Sequence, residues 1–290
     1  MPGVIVRTLG GLLAALIAAA PVPVIAQDAK PLEVRFHSAD PARTLINGLY
    51  FKSLKAGRRP GVIMLHGCAG MLSTSGKLRS RPRFWTRWLL DKGYAVLLAD
   101  SFTPRGFGSI CRMAERPVQP DRERPFDAYG ALRFLQAQPG ILPDRVALMG
   151  WSNGAMTLLW TLKTTAAQRP AKLAHDFRAA IAFYPGCHKL KRAPYRTAVP
   201  VLLQLGLADD WTPAANCLEL ADEAGAHGVP ILLDAYEDAY HAFDNPSSVV
   251  RKILTRNGKS ERHVHVGTNL TARNTAVINV QEFLARHLKP

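Results

Sequence analysis

Apolar and polar positions along this chain follow two rhythms. Residues 32–36 and 47–53 alternate apolar and polar with period two, which predicts two antiparallel strands joined around Asp40-Pro41. From residue 61 the rhythm changes. Residues 61–65 and 94–99 read as strands buried on both faces, because their apolar runs are short and continuous. Residues 146–150, 179–184, 201–205 and 231–236 extend the series, with 231–236 as the last strand. Between and after them, 84–92, 121–138, 153–164, 213–226 and 275–287 read as helices, two of them stopped by Gly93 and by Pro139-Gly140. Strands alternating with helices predict an α/β fold, a mostly parallel, doubly wound sheet with helices on both faces. No repeat or linker interrupts it, so residues 27–290 are expected to form one domain. In such sheets ligands bind beyond the carboxyl ends of the strands. The chemistry is therefore sought in the residues that follow each strand.

The first 26 residues break the pattern. Arg7 is their only charge, residues 9–20 are apolar and small, and Pro21 and Pro23 close the run before Val24-Ile25-Ala26. This is the pattern of a secretory signal peptide cleaved after Ala26. The run is shorter than the roughly 20 residues a bilayer span needs. No later segment is long and apolar enough, so stable membrane insertion of the mature chain is not expected. Export gives the cysteines a meaning. Cys68, Cys111, Cys187 and Cys217 are an even set in an oxidising compartment, which predicts two disulfides with three pairings open.

Composition adds less. With 48% hydrophobic and 20% charged residues the chain can bury a sizeable core. Its net charge of +15 becomes +14 once Arg7 is removed, and favours anionic surfaces or substrates. The basic residues are scattered, however, and no helix-turn-helix, zinc or RNA-binding signature accompanies them, so nucleic acid is not an expected partner.

Three strand ends carry chemistry. After strand 146–150 comes Gly150-Trp151-Ser152-Asn153-Gly154, a G-x-S-x-G turn between a strand and a helix. Its glycines let backbones pass closely and its tight turn holds the Ser152 hydroxyl clear of the sheet. A serine needs a base. After the last predicted strand, Tyr240-His241-Ala242-Phe243 brings His241 to the same edge. A third group must orient the imidazole, and Asp209 and Asp210 follow strand 201–205. The order Ser, Asp, His is that of the α/β-hydrolase fold. By resemblance to the G-x-x-D-x-x-x-P loops of that fold, Asp209 is the acid, and Asp210 caps the next helix or faces solvent. That fold also implies an oxyanion site made by the backbone N–H groups of Asn153 and of Cys68, the latter in the loop His66-Gly67-Cys68-Ala69-Gly70. His66 is expected to pack and hydrogen-bond beneath that loop. Cys68 and Cys111 both lie in carboxyl-edge loops, and Cys187 and Cys217 flank the acid loop. The expected bridges are therefore Cys68–Cys111 and Cys187–Cys217.

With these residues in place, the chain resembles the dienelactone hydrolase family of α/β hydrolases over nearly its whole mature length. The resemblance rests on residues 66–70, 100–106, 150–154, 206–213 and 240–243, and on His265-Val266-Gly267 and Ala272-Arg273 before a closing helix. It departs from the family's founders in three places. Ser152 stands where they use cysteine. Gly67 stands where they carry a glutamate that switches the cysteine on. Asn245 stands where they hold a substrate carboxylate with one of their arginines. Arg105 lies in the loop that supplies another, and is read either as substrate-binding or as fixing its own loop.

The expectation is an exported, cofactor-free hydrolase of small carboxylic esters or lactones. A peptidase on the same fold and a non-catalytic binding protein are the alternatives. The pair His263-x-His265 raises a metal site, but no carboxylate or cysteine cluster joins it, so the two histidines are read as structural.

Overall fold

The computed structural model describes residues 30–257 and 260–289. The signal peptide expected over residues 1–26 lies outside them. Among the described residues ten strands and five α-helices follow one another in chain order. They are β1 (Leu32–His37), β2 (Leu45–Phe51), β3 (Arg59–Leu65), α1 (Ser80–Asp91), β4 (Ala95–Asp100), α2 (Glu123–Gln136), β5 (Ile141–Trp151) and α3 (Asn153–Leu162). Then come β6 (Ala179–Phe183), β7 (Val201–Gly206), α4 (Ala215–Ala226), β8 (Ile231–Tyr236), β9 (Arg251–Asn257), β10 (Ser260–Val266) and α5 (Leu270–Leu288).

The main sheet has eight strands in the order β1-β2-β4-β3-β5-β6-β7-β8. β1, β2 and β4 pair antiparallel in succession, and every later pair is parallel. The apolar runs occupy its middle because both faces are covered. Along β3, Ile63 and Leu65 enter one core with Tyr129 and Leu132 of α2, Leu158 of α3 and Leu220 of α4. Val62 and Met64 enter the other with Trp85 and Leu89 of α1 and Phe283 and Leu284 of α5. Period-two alternation thus sorts one apolar strand between two helical layers.

The structure departs from the sequence pattern in one element and several ends. β8 is not the last strand. Residues expected as loop form the hairpin β9–β10, a separate antiparallel pair in which His265 lies opposite Lys252 and Val266 opposite Arg251. Its strands are rich in Arg, Lys and Glu, and among its described side chains only Thr255, Val264 and Val266 are buried, so its apolar alternation is faint. The closing helix starts at Leu270 rather than near 275, because the Asn269 side chain caps it by accepting the Ala272 N–H at 3.0 Å. Among the described residues no helix is long and apolar enough to cross a membrane.

Candidate active site

Ser152 sits between the end of β5 and the start of α3, with φ 51° and ψ −115°. That conformation costs about 1–3 kcal/mol for a residue with a side chain. The surroundings impose it. The Ser152 N–H donates to the Phe183 carbonyl at 2.9 Å, and its own carbonyl accepts Met156 N–H at 2.8 Å, the first turn of α3. Gly154 makes the crossing possible, because a Cβ there would lie 2.1 Å from the Leu65 carbonyl oxygen. β3 and the new helix therefore touch through bare backbone.

His241 follows β8 and is held from three sides. Its Nδ1 lies 2.7 Å from Asp209 Oδ2, and both residues are buried. Its ring packs against Tyr184 and Trp211, with centroids at 4.6 and 4.7 Å. Its carbonyl accepts the Gly267 N–H at 3.1 Å. Asp209 is itself immobilised. Its Oδ1 accepts the backbone N–H groups of Trp211 at 2.8 Å and Thr212 at 2.9 Å. The Thr212 hydroxyl lies 2.9 Å from Asp209 Oδ2 and 3.1 Å from the Tyr184 carbonyl.

Ser152 and His241 line one pocket of about 250 Å³, together with Cys68, Trp151, Trp211 and Ile253. Among the described residues they share no direct hydrogen bond, which is common before a substrate draws such groups together. Among the same residues, neither the Cys68 nor the Asn153 N–H donates to a backbone carbonyl. Asn153 follows Ser152 directly, and Gly67, the residue before Cys68, packs against Ser152, where a Cβ on it would lie 3.6 Å from the Ser152 Cβ.

Asp210 neither caps a helix nor stands alone in solvent. Its Oδ1 accepts the His265 N–H and its Oδ2 meets His265 Nδ1, both at 2.8 Å. These bonds outweigh partial burial and hold Asp210 below the usual carboxylate range. The pair ties the β9–β10 hairpin to the acid loop and accounts for His265 of the His263-x-His265 pair. Of the two readings open for Arg105, its contacts match the one in which it fixes its own loop. It donates to Asp127 through both Nη atoms at 2.8 and 2.9 Å and to the Ser101 carbonyl at 2.7 Å. Its fork is spent on a bidentate pair that fixes its own loop, and the pocket wall does not include it. Three other arginines, Arg79, Arg81 and Arg251, do line the pocket. Disulfides join Cys68 to Cys111 and Cys187 to Cys217. The first ties the loop bearing one free amide to the loop after β4.

His66 lies under the same loop. Its Nε2 accepts the Ser101 N–H at 3.3 Å, so its Nδ1 carries the proton and donates to the Gly67 carbonyl at 2.9 Å. Burial, with the Arg124 charge nearby, pulls the imidazole down to about 4, against 6.5 in an open chain. The unfolded chain therefore takes up this proton before the folded one does. The stability tied to neutral His66 is fully present above pH 6.5 and drains away as pH falls to about 4, a loss of roughly 3 kcal/mol. His66→Gln is expected to flatten that slope. Urea unfolding of both proteins at pH 7 and pH 4.5 checks it, and parallel losses in the two would refute the assignment.

Two buried charges escaped the sequence reading. Arg124, on α2, donates to the Asn153 side-chain oxygen and to the His66 carbonyl, the latter at 2.9 Å, and burial lowers its guanidinium to about 10. It thereby joins the Asn153 side chain to the backbone two residues before Cys68. Asp244, three residues after His241, is fully buried. It accepts the indole N–H groups of Trp85 at 2.9 Å and Trp151 at 2.7 Å, together with the Tyr184 hydroxyl. Arg81 Nε lies 3.1 Å from it. A charged residue inside an apolar helical face was the one available hint for Arg124. Asp244 offered none, since its partners lie 60 or more residues away in sequence.

The model of the dienelactone hydrolase family matches residues 46–288. Among solved structures, a dienelactone hydrolase-like promiscuous phosphotriesterase from metagenomic libraries is 21% identical, with a TM-score of 0.64 over 89% of this chain and 99% of that one. Esterase 2 of Thermogutta terrifontis, phosphorylated by paraoxon, is 17% identical, with a TM-score of 0.62 over 91% and 97%. Dipeptidyl peptidase 4 of Porphyromonas gingivalis is 16% identical with a TM-score of 0.61. The match takes in 90% of this chain but only 36% of the peptidase. At these identities the likeness is one of fold.

Proposed function

The chain belongs to the dienelactone hydrolase family, and from that premise we propose that it is an exported serine hydrolase of carboxylic esters or lactones. One observation carries the reading. A buried Asp209–His241 pair, at 2.7 Å, shares a pocket with a serine held in a strained strand-to-helix turn. Ser152 Oγ attacks the carbonyl carbon while His241 Nε2 takes its proton. Asp209 keeps the proton on Nδ1 and stabilises the imidazolium. The Cys68 and Asn153 amides and the start of α3 receive the charge that develops on the carbonyl oxygen. His241 returns the proton to the leaving alcohol. It then activates a water that releases the acid from Ser152 and restores the hydroxyl.

Arg79 and Arg251 in the pocket wall, beside an Arg81 already paired with Asp244, favour substrates with an anionic group beside the ester. The two disulfides support export, since such bonds persist in oxidising compartments. A fluorophosphonate is expected to label Ser152 alone, as read by peptide mass spectrometry. A panel of p-nitrophenyl and aryl esters and lactones, in neutral and carboxylate-bearing pairs, is expected to show turnover at the labelled site. Folded protein that takes no label and turns over no ester would overturn the proposal in favour of a binding protein. Turnover confined to peptides would favour a peptidase.

A further inference from the structure

Asp244 is buried, acidic and absent from the chemistry just described, yet two of its contacts end beside groups that the chemistry uses. Its Oδ2 takes the indole N–H of Trp151, at 2.7 Å, the residue immediately before Ser152. Its Oδ1 takes the hydroxyl of Tyr184. The Tyr184 ring lies 4.6 Å from the His241 ring, and the Tyr184 carbonyl lies 3.1 Å from the Thr212 hydroxyl beside Asp209. Tyr184 has φ 37°, so its backbone is held in a conformation that side chains disfavour. Trp85 of α1 adds a donor at 2.9 Å, and Arg81 stands at 3.1 Å. Asp244 itself leaves β8 on the same turn as His241, with Ala242 at φ 67° between them.

We infer that Asp244 is a positioning residue that sets the separation between the proposed nucleophile and its base. Ser152 and His241 come from different strands and share no bond. The parallel ladder links β8's exit to the end of β5 only through β6 and β7, so a side chain that joins the two directly shortens that path. Asp244 spans the gap. It hangs from the turn that carries His241 and grips the residue that precedes Ser152. Through Tyr184 it also grips the aromatic wall that the imidazole rests on. A carboxylate suits this place better than an amide. It accepts from three or more donors at once and offers no N–H that would face them. The acid–base assignment of Ser152, Asp209 and His241 is the reading on which this inference rests.

Asp244→Asn keeps the shape but turns one acceptor into a donor aimed at other donors. The rate constant for phosphonylation of Ser152 by a small neutral fluorophosphonate is expected to fall on the order of 100-fold, as misplacement of reacting groups by about an ångström does. Hydrolysis of a neutral p-nitrophenyl ester, counted per labelled site, is expected to fall in kcat with KM nearly unchanged. Tyr184→Phe keeps the ring on His241 and removes only the hydroxyl. A loss of roughly tenfold in the same rate constant is expected, and this variant decides the matter if Asp244→Asn does not fold. Phosphonylation at the wild-type rate in a folded variant would overturn the inference and leave Asp244 as a packing residue. A wild-type protein that takes no label would overturn the serine hydrolase reading itself, which separates the two failures.

Discussion

Ser152→Ala is expected to lower kcat by about a million-fold, and Ser152→Gly by as much, while the glycine variant gains stability. The activity loss follows from the division of labour in the pocket. Asp209 and His241 stay buried and paired, and the Cys68 and Asn153 amides stay free, but no atom remains to accept the acyl group. The residual rate is then only what binding and the oxyanion donors give to water. The stability gain follows from the backbone. Ser152 holds φ 51° and ψ −115° because Gly154 lets α3 cross β3 so closely. Glycine adopts such angles without strain, and its greater freedom in the unfolded chain offsets part of the relief. The net expectation is about 1 kcal/mol, or roughly 2–4 °C in Tm. Alanine keeps the strain and should melt with the wild type. Stopped-flow hydrolysis of a p-nitrophenyl ester with thermal melts of the three proteins checks both halves. A glycine variant less stable than the alanine one would mean that the turn is not strained as its angles imply.

That result bears on why some of this site was legible in sequence and some was not. Ser152 and Asp209 each follow a buried strand and His241 follows the edge strand β8, all within a local pattern of a few residues. In a parallel sheet, position after a strand already fixes position in space. The same logic placed all four cysteines at the carboxyl edge, where the structure joins Cys68 to Cys111 and Cys187 to Cys217. What failed was everything that depends on a distant partner. Arg105 was open to two readings, substrate-binding or fixing its own loop, because Asp127, which decides for the second, lies 22 residues on and inside α2. Asp210 looked like a cap or a solvated carboxylate because His265 belongs to a hairpin whose alternation is faint. Asp244 and Arg124 are buried charges, and a buried charge is tolerable only where partners converge on it. Sequence spacing carries no trace of that convergence.

The two adjacent aspartates allow the sharpest test, because the structure separates them so differently. Asp209→Asn is expected to lower kcat by about 10⁴-fold, and Asp210→Asn by no more than a few fold. The reason lies in what surrounds Asp209. Its Oδ1 accepts two backbone N–H groups, from Trp211 and Thr212. An asparagine there must turn its carbonyl oxygen toward those two donors. Its NH₂ group then occupies the place of Oδ2, against His241 Nδ1. An N–H aimed at Nδ1 makes that nitrogen the acceptor and moves the ring proton to Nε2, the atom that must receive the proton from Ser152. The base is thus blocked by a tautomer, with hardly an atom displaced. Substrate binding does not involve that proton, so KM should stay near the wild-type value while kcat falls. Asp210 meets a different ring. Its bonds to His265 fasten the β9–β10 hairpin that supplies Arg251, Ile253 and Val266 to the pocket. Asp210→Asn keeps one acceptor for the His265 N–H, so its effect should fall on KM rather than kcat. Steady-state kinetics of the two variants on one neutral ester decide between them. A large kcat loss in Asp210→Asn with little in Asp209→Asn would reverse the roles assigned to the pair.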